Sequence, residues 1–272
     1  MNKFKKFMKS KKGTLVLAGA ALILLLGSGV GSAKAALTYY SENYSAQVEM
    51  YDIGVTLVEA SGSDVDNLKS TDISSRDYSG KDDAWEESQG ELLSNLLDQS
   101  DNKLLLGKTY NEQLFAKNSG NIDEYVRMRV YRYWTDEDGD KSQRTTELEP
   151  SQIELGLADA GWILDEENST EERLVFYWPH ILAVGETTDA PTINSLTLDS
   201  NLKNKVDVTT EEVSGDNGTY TKTTTSYRYK NMKFNLEAQV DAVQTHNAAD
   251  AIKSAWGIEV NVDEASGDIS LK

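Results

Sequence analysis

Cysteine is absent from this chain, histidine occurs twice and proline three times. The first absence excludes disulfides, cysteine nucleophiles and thiolate metal sites. Two histidines, His180 and His246, stand far apart with no His-Glu-x-x-His motif, so a histidine-built zinc centre is not written in the sequence. His246 and Asp250 share helical spacing, a partial site at most. No Gly-x-Ser-x-Gly elbow and no glycine-rich phosphate loop occur. Basic residues are also scarce, 27 against 45 acids. A chain of that balance is not expected to bind nucleic acid. Among so many acids, adjacent pairs such as Asp82-Asp83 and Glu171-Glu172 read as solvated surface. No cofactor is expected, and an enzymatic role has little in the sequence to support it.

The scarce cations cluster at the start. Six lysines between Lys3 and Lys12 precede an apolar run from Thr14 to Leu26, and Ala33-Lys34-Ala35 offers a small-x-small cleavage site. This is the layout of a secretory signal peptide over residues 1–35. Its removal takes seven lysines and no acid, leaving 20 basic against 45 acidic residues, a formal charge of −25. The apolar run is short for a spanning helix, and no second run follows. A secreted chain without stable membrane insertion after cleavage is expected, with residues 36–272 as one domain. Without disulfides it must be held by its core, by assembly or by metal.

What is abundant is period-two alternation. In Asn121–Trp134, Val126, Met128 and Val130 point one way while Tyr125, Arg127, Arg129, Tyr131 and Tyr133 point the other, predicting a strand with one buried face. Met232, Phe234, Leu236, Ala238, Val240 and Ala242 alternate with polar residues over another long strand. Shorter strands are predicted around Leu174–Trp178, at Ile193–Leu198 and at Ile258–Val262. Before them, Ala46, Val48 and Met50 lead through a bend near Asp52–Gly54 to Ile53, Val55 and Leu57. The pattern predicts an all-β fold, an antiparallel β-sandwich with two or three short peripheral helices.

Residues 60–83 read as a polar loop and Ala84–Asp98 as an amphipathic helix. Residues 60–115 as a whole read as an elaboration on the sandwich, as does the threonine-rich hairpin at 206–229. A second helix is predicted after Asn247, capped by that side chain with Asp250 as a capping-box partner and ended by Gly257. Asp136, Asp138 and Asp140 partly match a calcium loop, but the same Asp-Gly sequence makes an ordinary hairpin turn. The outward tyrosines and arginines of Asn121–Trp134 have three readings: a protein interface, a glycan-binding face, or a second core beneath a further element.

Several stretches together resemble the TasA/camelysin family of bacterial secreted matrix-fibre proteins. The signal peptide running into Ala36-Leu-Thr-Tyr-Tyr-Ser-Glu resembles precursors processed by a SipW-type signal peptidase. Asn118-Ser-Gly-Asn-Ile-Asp-Glu-Tyr-Val-Arg-Met-Arg-Val130 resembles that family's central strand. Tyr177-Trp-Pro-His-Ile-Leu-Ala-Val-Gly-Glu-Thr-Thr188 resembles its later strand and turn. The resemblance implies a jelly-roll-like sandwich, export to the extracellular matrix or cell surface, and self-assembly into biofilm fibres by donor-strand exchange. Carried onto this sequence, Ala36–Met50 is the donor segment, with Leu37, Tyr39 and Tyr40 as its first inserts. Tyr125, Arg127, Arg129 and Tyr131 are the candidate lateral contacts. A non-catalytic surface module for host protein or glycan is the alternative. The metallopeptidase label attached to part of the family finds no zinc motif here.

Overall fold

Alternating strands pair into two antiparallel sheets because only then does each apolar face find cover while every central backbone amide finds a carbonyl. The computed structural model describes residues 52–62, 68–77, 86–99, 104–136, 139–140, 144–158, 161–215 and 218–272. All of them belong to one compact unit, Tyr51–Lys272. The calls on the signal peptide and on Ala36–Met50, including Leu37, Tyr39 and Tyr40, lie outside the described residues.

In chain order the elements begin with β1 (Val55–Gly62), β2 (Lys69–Asp72), β3 (Ser74–Asp77), β4 (Glu86–Gln89) and the short helix α1 (Ser94–Gln99). There follow β5 (Thr109–Asn118), β6 (Glu124–Thr135), β7 (Ile153–Leu157), β8 (Ile163–Leu164), β9 (Arg173–Tyr177) and β10 (Ile193–Leu198). The chain closes with β11 (Val206–Gly215), β12 (Gly218–Tyr227), β13 (Lys233–Gln244), helix α2 (Ala248–Trp256), β14 (Val260–Val262) and β15 (Ile269–Leu271). One sheet has five strands in the order β2-β1-β5-β10-β7, and the other has four in the order β13-β6-β9-β8. The fold is all-β, a two-sheet antiparallel sandwich.

The main core lies between the sheets. Leu57, Leu114, Ala116, Ile193 and Leu196 from the five-stranded sheet meet Val126, Met128, Val130 and Phe176 from the four-stranded one. Residues alternate inward and outward along each strand, so polar partners such as Arg127 and Arg129 fall on the opposite face. That opposite face has a second core. Ala248, Ile252 and Trp256 form one stripe of α2, four residues apart, and pack on Tyr125, Val175, Tyr177 and Val243. The β14–β15 hairpin adds Val260 and Ile269 to the same cluster.

Several expectations need correction. Residues 60–83 are not a loop throughout, because β1 runs to Gly62 and β2 and β3 follow. The predicted helix at Ala84–Asp98 is instead strand β4, paired with β3, followed by the shorter α1. β2 is held to β1 by backbone pairing while its side chains stay largely exposed, so no apolar period marks it. Asn247 lies in the left-handed region at φ 52° and its side chain caps nothing, whereas Gly257 ends α2 as expected.

Among the described residues, three glutamates are fully buried. Glu59 and Glu112 lie on the core face of β1 and β5, near Ser61, which sits directly across from Glu112. Glu59 accepts a 2.6 Å hydrogen bond from the Leu93 amide. Burial, then the charge of Glu59, pushes Glu112 up to about 10, so Glu112 is protonated at neutral pH. Glu124, at the start of β6, is pushed up to about 8 by burial. The Gly54 amide offsets this in part, although neither Glu124 oxygen makes a hydrogen bond of good geometry.

Candidate functional site

The sandwich has sheet edges, and an edge strand exposes unpaired backbone groups to any partner strand. Three of the four are short: β2 has 4 residues, β7 has 5 and β8 has 2. The fourth is β13, with 12 residues, paired to β6 on one side only. Among the described residues no strand pairs with its outer edge.

Beside that edge runs a groove of about 1250 Å³, lined by every residue from Met232 to Ala242. A strand of this length spans about 35 Å. The groove's other wall is made by Val55, Leu57 and Ile73, together with Leu92, Leu93 and Leu97 around the start of α1. Its position follows from the strand orders. β1 approaches β13 across the core and β5 approaches β6, so β2, on the far side of β1, lies beyond the outer edge of β13. A strand added beside β13 would fill the place beneath β2 and α1. The inner residues of β13 show the shortage of cover. Phe234, Ala238, Val240 and Ala242 are only half-buried, whereas Val126, Met128 and Val130 on the adjacent strand are 0% exposed.

At the Met232 end the groove runs into a smaller apolar hollow of about 360 Å³, formed by Leu104, Leu105, Leu106, Trp134, Leu198, Leu202 and Tyr229 with Met232 and Phe234. Leu105 is among the large apolar side chains left exposed. An aromatic or aliphatic side chain entering here would bury surface worth about 1.5–3 kcal/mol. The far end of the groove is bounded by Ile53 and Val55. There the chain leading into β1 is held by backbone bonds from Ser119 and Gly120 to the Gly54 carbonyl and from Asn121 to Asp52. Asn121 Oδ1 also accepts from the Asp52 amide at 2.8 Å. The clasp is close enough to need glycine, since a Cβ on Gly120 would stand 2.4 Å from the Asp52 carbonyl oxygen. Asp52 and Gly54 are therefore fixed beside the groove wall.

The predicted lateral contacts have other partners. Tyr125 is 1% exposed beneath α2, and its hydroxyl donates to the Gly267 carbonyl at 2.6 Å. It is core, not contact surface. Arg127 makes a paired bond to Asp241 at 2.6 and 3.2 Å and lies over the Trp256 ring. Arg129 reaches the same carboxylate at 3.3 Å. Tyr131 is half-buried, opposite Glu237. Tyr133, which shares this face, donates to Glu237 at 2.7 Å, and Arg144 lies over its ring. These residues tie β6 to β13 and to α2, and the alternation that picked them out could not distinguish a covered face from a free one.

The Gly139 amide, at φ 71°, donates to the Asp136 carbonyl, and Asp140 follows it. Asp138 lies outside the described residues. Among the described residues, no three acids or histidines gather into a metal-holding cluster. His180 pairs with Asp268 at 2.8 Å on the surface, while His246 is exposed and its carbonyl accepts from Gln244. No protein-family model, curated protein or solved structure matches the chain.

Proposed function

We propose that this is an extracellular structural protein, a biofilm-matrix or cell-surface fibre subunit that assembles by β-strand addition. The observation that carries the reading is the 12-residue outer edge of β13, unpaired among the described residues and lying along a groove of mixed polar and apolar lining. Backbone bonds to the free edge supply affinity, and side-chain inserts every second residue set register. The proposed occupant is Ala36–Met50 of a second copy, exported after signal-peptidase cleavage of residues 1–35. Its Leu37, Tyr39, Ala46, Val48 and Met50 offer apolar groups at strand spacing, though the run shifts phase between them. The resemblance to the TasA/camelysin family supports the same reading from the sequence side.

Loss of residues 36–44 tests it. The shortened chain is expected to keep its fold and remain monomeric, while the chain beginning at Ala36 forms fibres visible by electron microscopy. Equal fibre formation by both chains would rule out the donor segment.

A further inference from the structure

Polar side chains of the five-stranded sheet turn into the core where apolar ones would be expected. Along β1, Leu57, Glu59 and Ser61 share the inner face, and on β5 Glu112 shares it with Tyr110 and Leu114. Register sets Ser61 directly across from Glu112, and Glu59 across from Leu114, one diagonal step away. Glu59, Ser61 and Glu112 are each 0% exposed.

Their oxygens lack partners. Glu59 Oε1 accepts from the Leu93 amide, but Glu59 Oε2, both Glu112 oxygens and Ser61 Oγ make no hydrogen bond. Lys69, opposite Ser61 on β2, is exposed and bonds to none of them. Buried oxygens in this state carry a desolvation cost that no protein group offsets. The carboxyls are near enough for the charge of Glu59 to raise Glu112, yet they are not bonded to each other in good geometry. Oxygens around an ion are arranged in this way, each about 2.3–2.6 Å from the metal and none bonded to its neighbour. A single proton joins two oxygens at most and leaves the rest of the set without a partner.

We infer that Glu59, Glu112 and Ser61 form a buried binding site for a calcium ion. The two carboxylates match the divalent charge, and the Ser61 hydroxyl adds a neutral oxygen. Oxygen ligands without imidazole or thiolate select a hard cation. Magnesium holds its waters and demands octahedral geometry, so a closed set of carboxylates favours the larger, more tolerant calcium. Binding displaces the proton that Glu112 otherwise carries. A bound ion fixes Glu59 and, through the Leu93 amide, the chain entering α1 that walls the groove. Leu93 stands at φ 67°, a conformation leucine rarely adopts without such a hold. The site is separate from the Asp136–Asp140 turn and does not depend on the fibre reading.

The test uses the chain from Ala36, stripped of metal by chelator. Because the oxygens are closed off, calcium chloride is added both to the folded chain and during refolding. Calorimetric titration and melting temperature read binding, with magnesium chloride in parallel. The wild-type chain is expected to take one calcium with a Kd of about 10⁻⁴–10⁻³ M or tighter, to prefer it to magnesium and to melt higher with it. Glu112→Gln keeps the shape and removes the charge, and is expected to weaken calcium binding by about tenfold or more. Ser61→Ala is expected to weaken it less, with metal-free melting at or above wild type. That variant keeps the test decisive if Glu112→Gln does not fold. Asp136→Asn with Asp140→Asn is expected to change nothing. The site is overturned by the absence of a calcium-dependent shift, by equal responses to calcium and magnesium, or by undiminished binding in Glu112→Gln and Ser61→Ala. Many weak equivalents shared by every variant are binding to surface acids only, and overturn it as well.

Discussion

β6 and β13 are paired residue for residue from Glu124↔Gln244 to Thr135↔Lys233, and both alternate apolar with polar side chains. They differ in what lies beyond. β6 has β9 on its other side, while β13 has no strand there among the described residues. Val126, Met128 and Val130 of β6 are sealed, while Phe234, Ala238, Val240 and Ala242 of β13 are half-covered. The same pattern thus serves as a core strand in one place and as an unfinished edge in the other. Position in the strand order decides which, and that order is not a local property of sequence.

The comparison predicts unequal costs for equal truncations. Met128→Ala, in β6, should lose about 2–5 kcal/mol in denaturant unfolding, the range for emptying a packed core site. Val240→Ala, its register partner in β13, should cost under about 1 kcal/mol, because its surroundings are already open. Similar losses at both sites would mean that β13 is as enclosed as β6.

The sealed carboxyls give a pH signature confined to the paired interior. Glu124 is raised from 4.5 to about 8 and Glu112 from 4.5 to about 10. The folded chain therefore binds more protons than the unfolded one between these values. Their stabilising contribution is complete below pH 4.5, falls through about pH 8 for Glu124, and falls through about pH 10 for Glu112. Melting temperatures across this window should decline with pH. Glu124→Gln should flatten the slope between 4.5 and 8 and raise stability at pH 8. An unchanged slope in that variant would remove Glu124 from the account.

Smaller effects are expected where β6 and β13 are joined by charge. Asp241 serves both Arg127 and Arg129 and is partly solvated, with a third of its side chain exposed. Asp241→Asn should cost about 1 kcal/mol, and a double-mutant cycle with Arg127→Gln should recover most of it as coupling. Ala238→Lys, facing the groove, should change monomer stability least while blocking strand addition, since an inward charge on an edge deters pairing. Fibres formed by that variant at wild-type concentration would count against the groove.

Much of the sandwich was legible because apolar side chains at alternate positions mark strands buried on one face. β10 falls at Ile193–Leu198 as the pattern predicts, and β13 and α2 lie where their periods place them. β2, β3 and β4 were not legible, since backbone pairing holds them and their side chains carry no apolar period. The burial of Glu59, Glu112 and Glu124 was equally hidden, because an acid inside a sandwich looks like any other acid in an acidic chain. Tyr125 was read among the lateral contacts, but α2 folds over it from far along the sequence. The groove had no sequence signature either. It arises from the count and order of strands in two sheets, seen only once both are assembled.

In the proposed fibre, the outer edge of β13 becomes paired when copies assemble. Hydrogen exchange of the chain from Ala36, followed by mass spectrometry below and above its assembly concentration, measures this directly. Amides across Met232–Ala242 should gain protection on assembly while those of Val126–Val130 stay protected in both states. Unchanged exchange along β13 in assembled material would contradict strand addition at this edge.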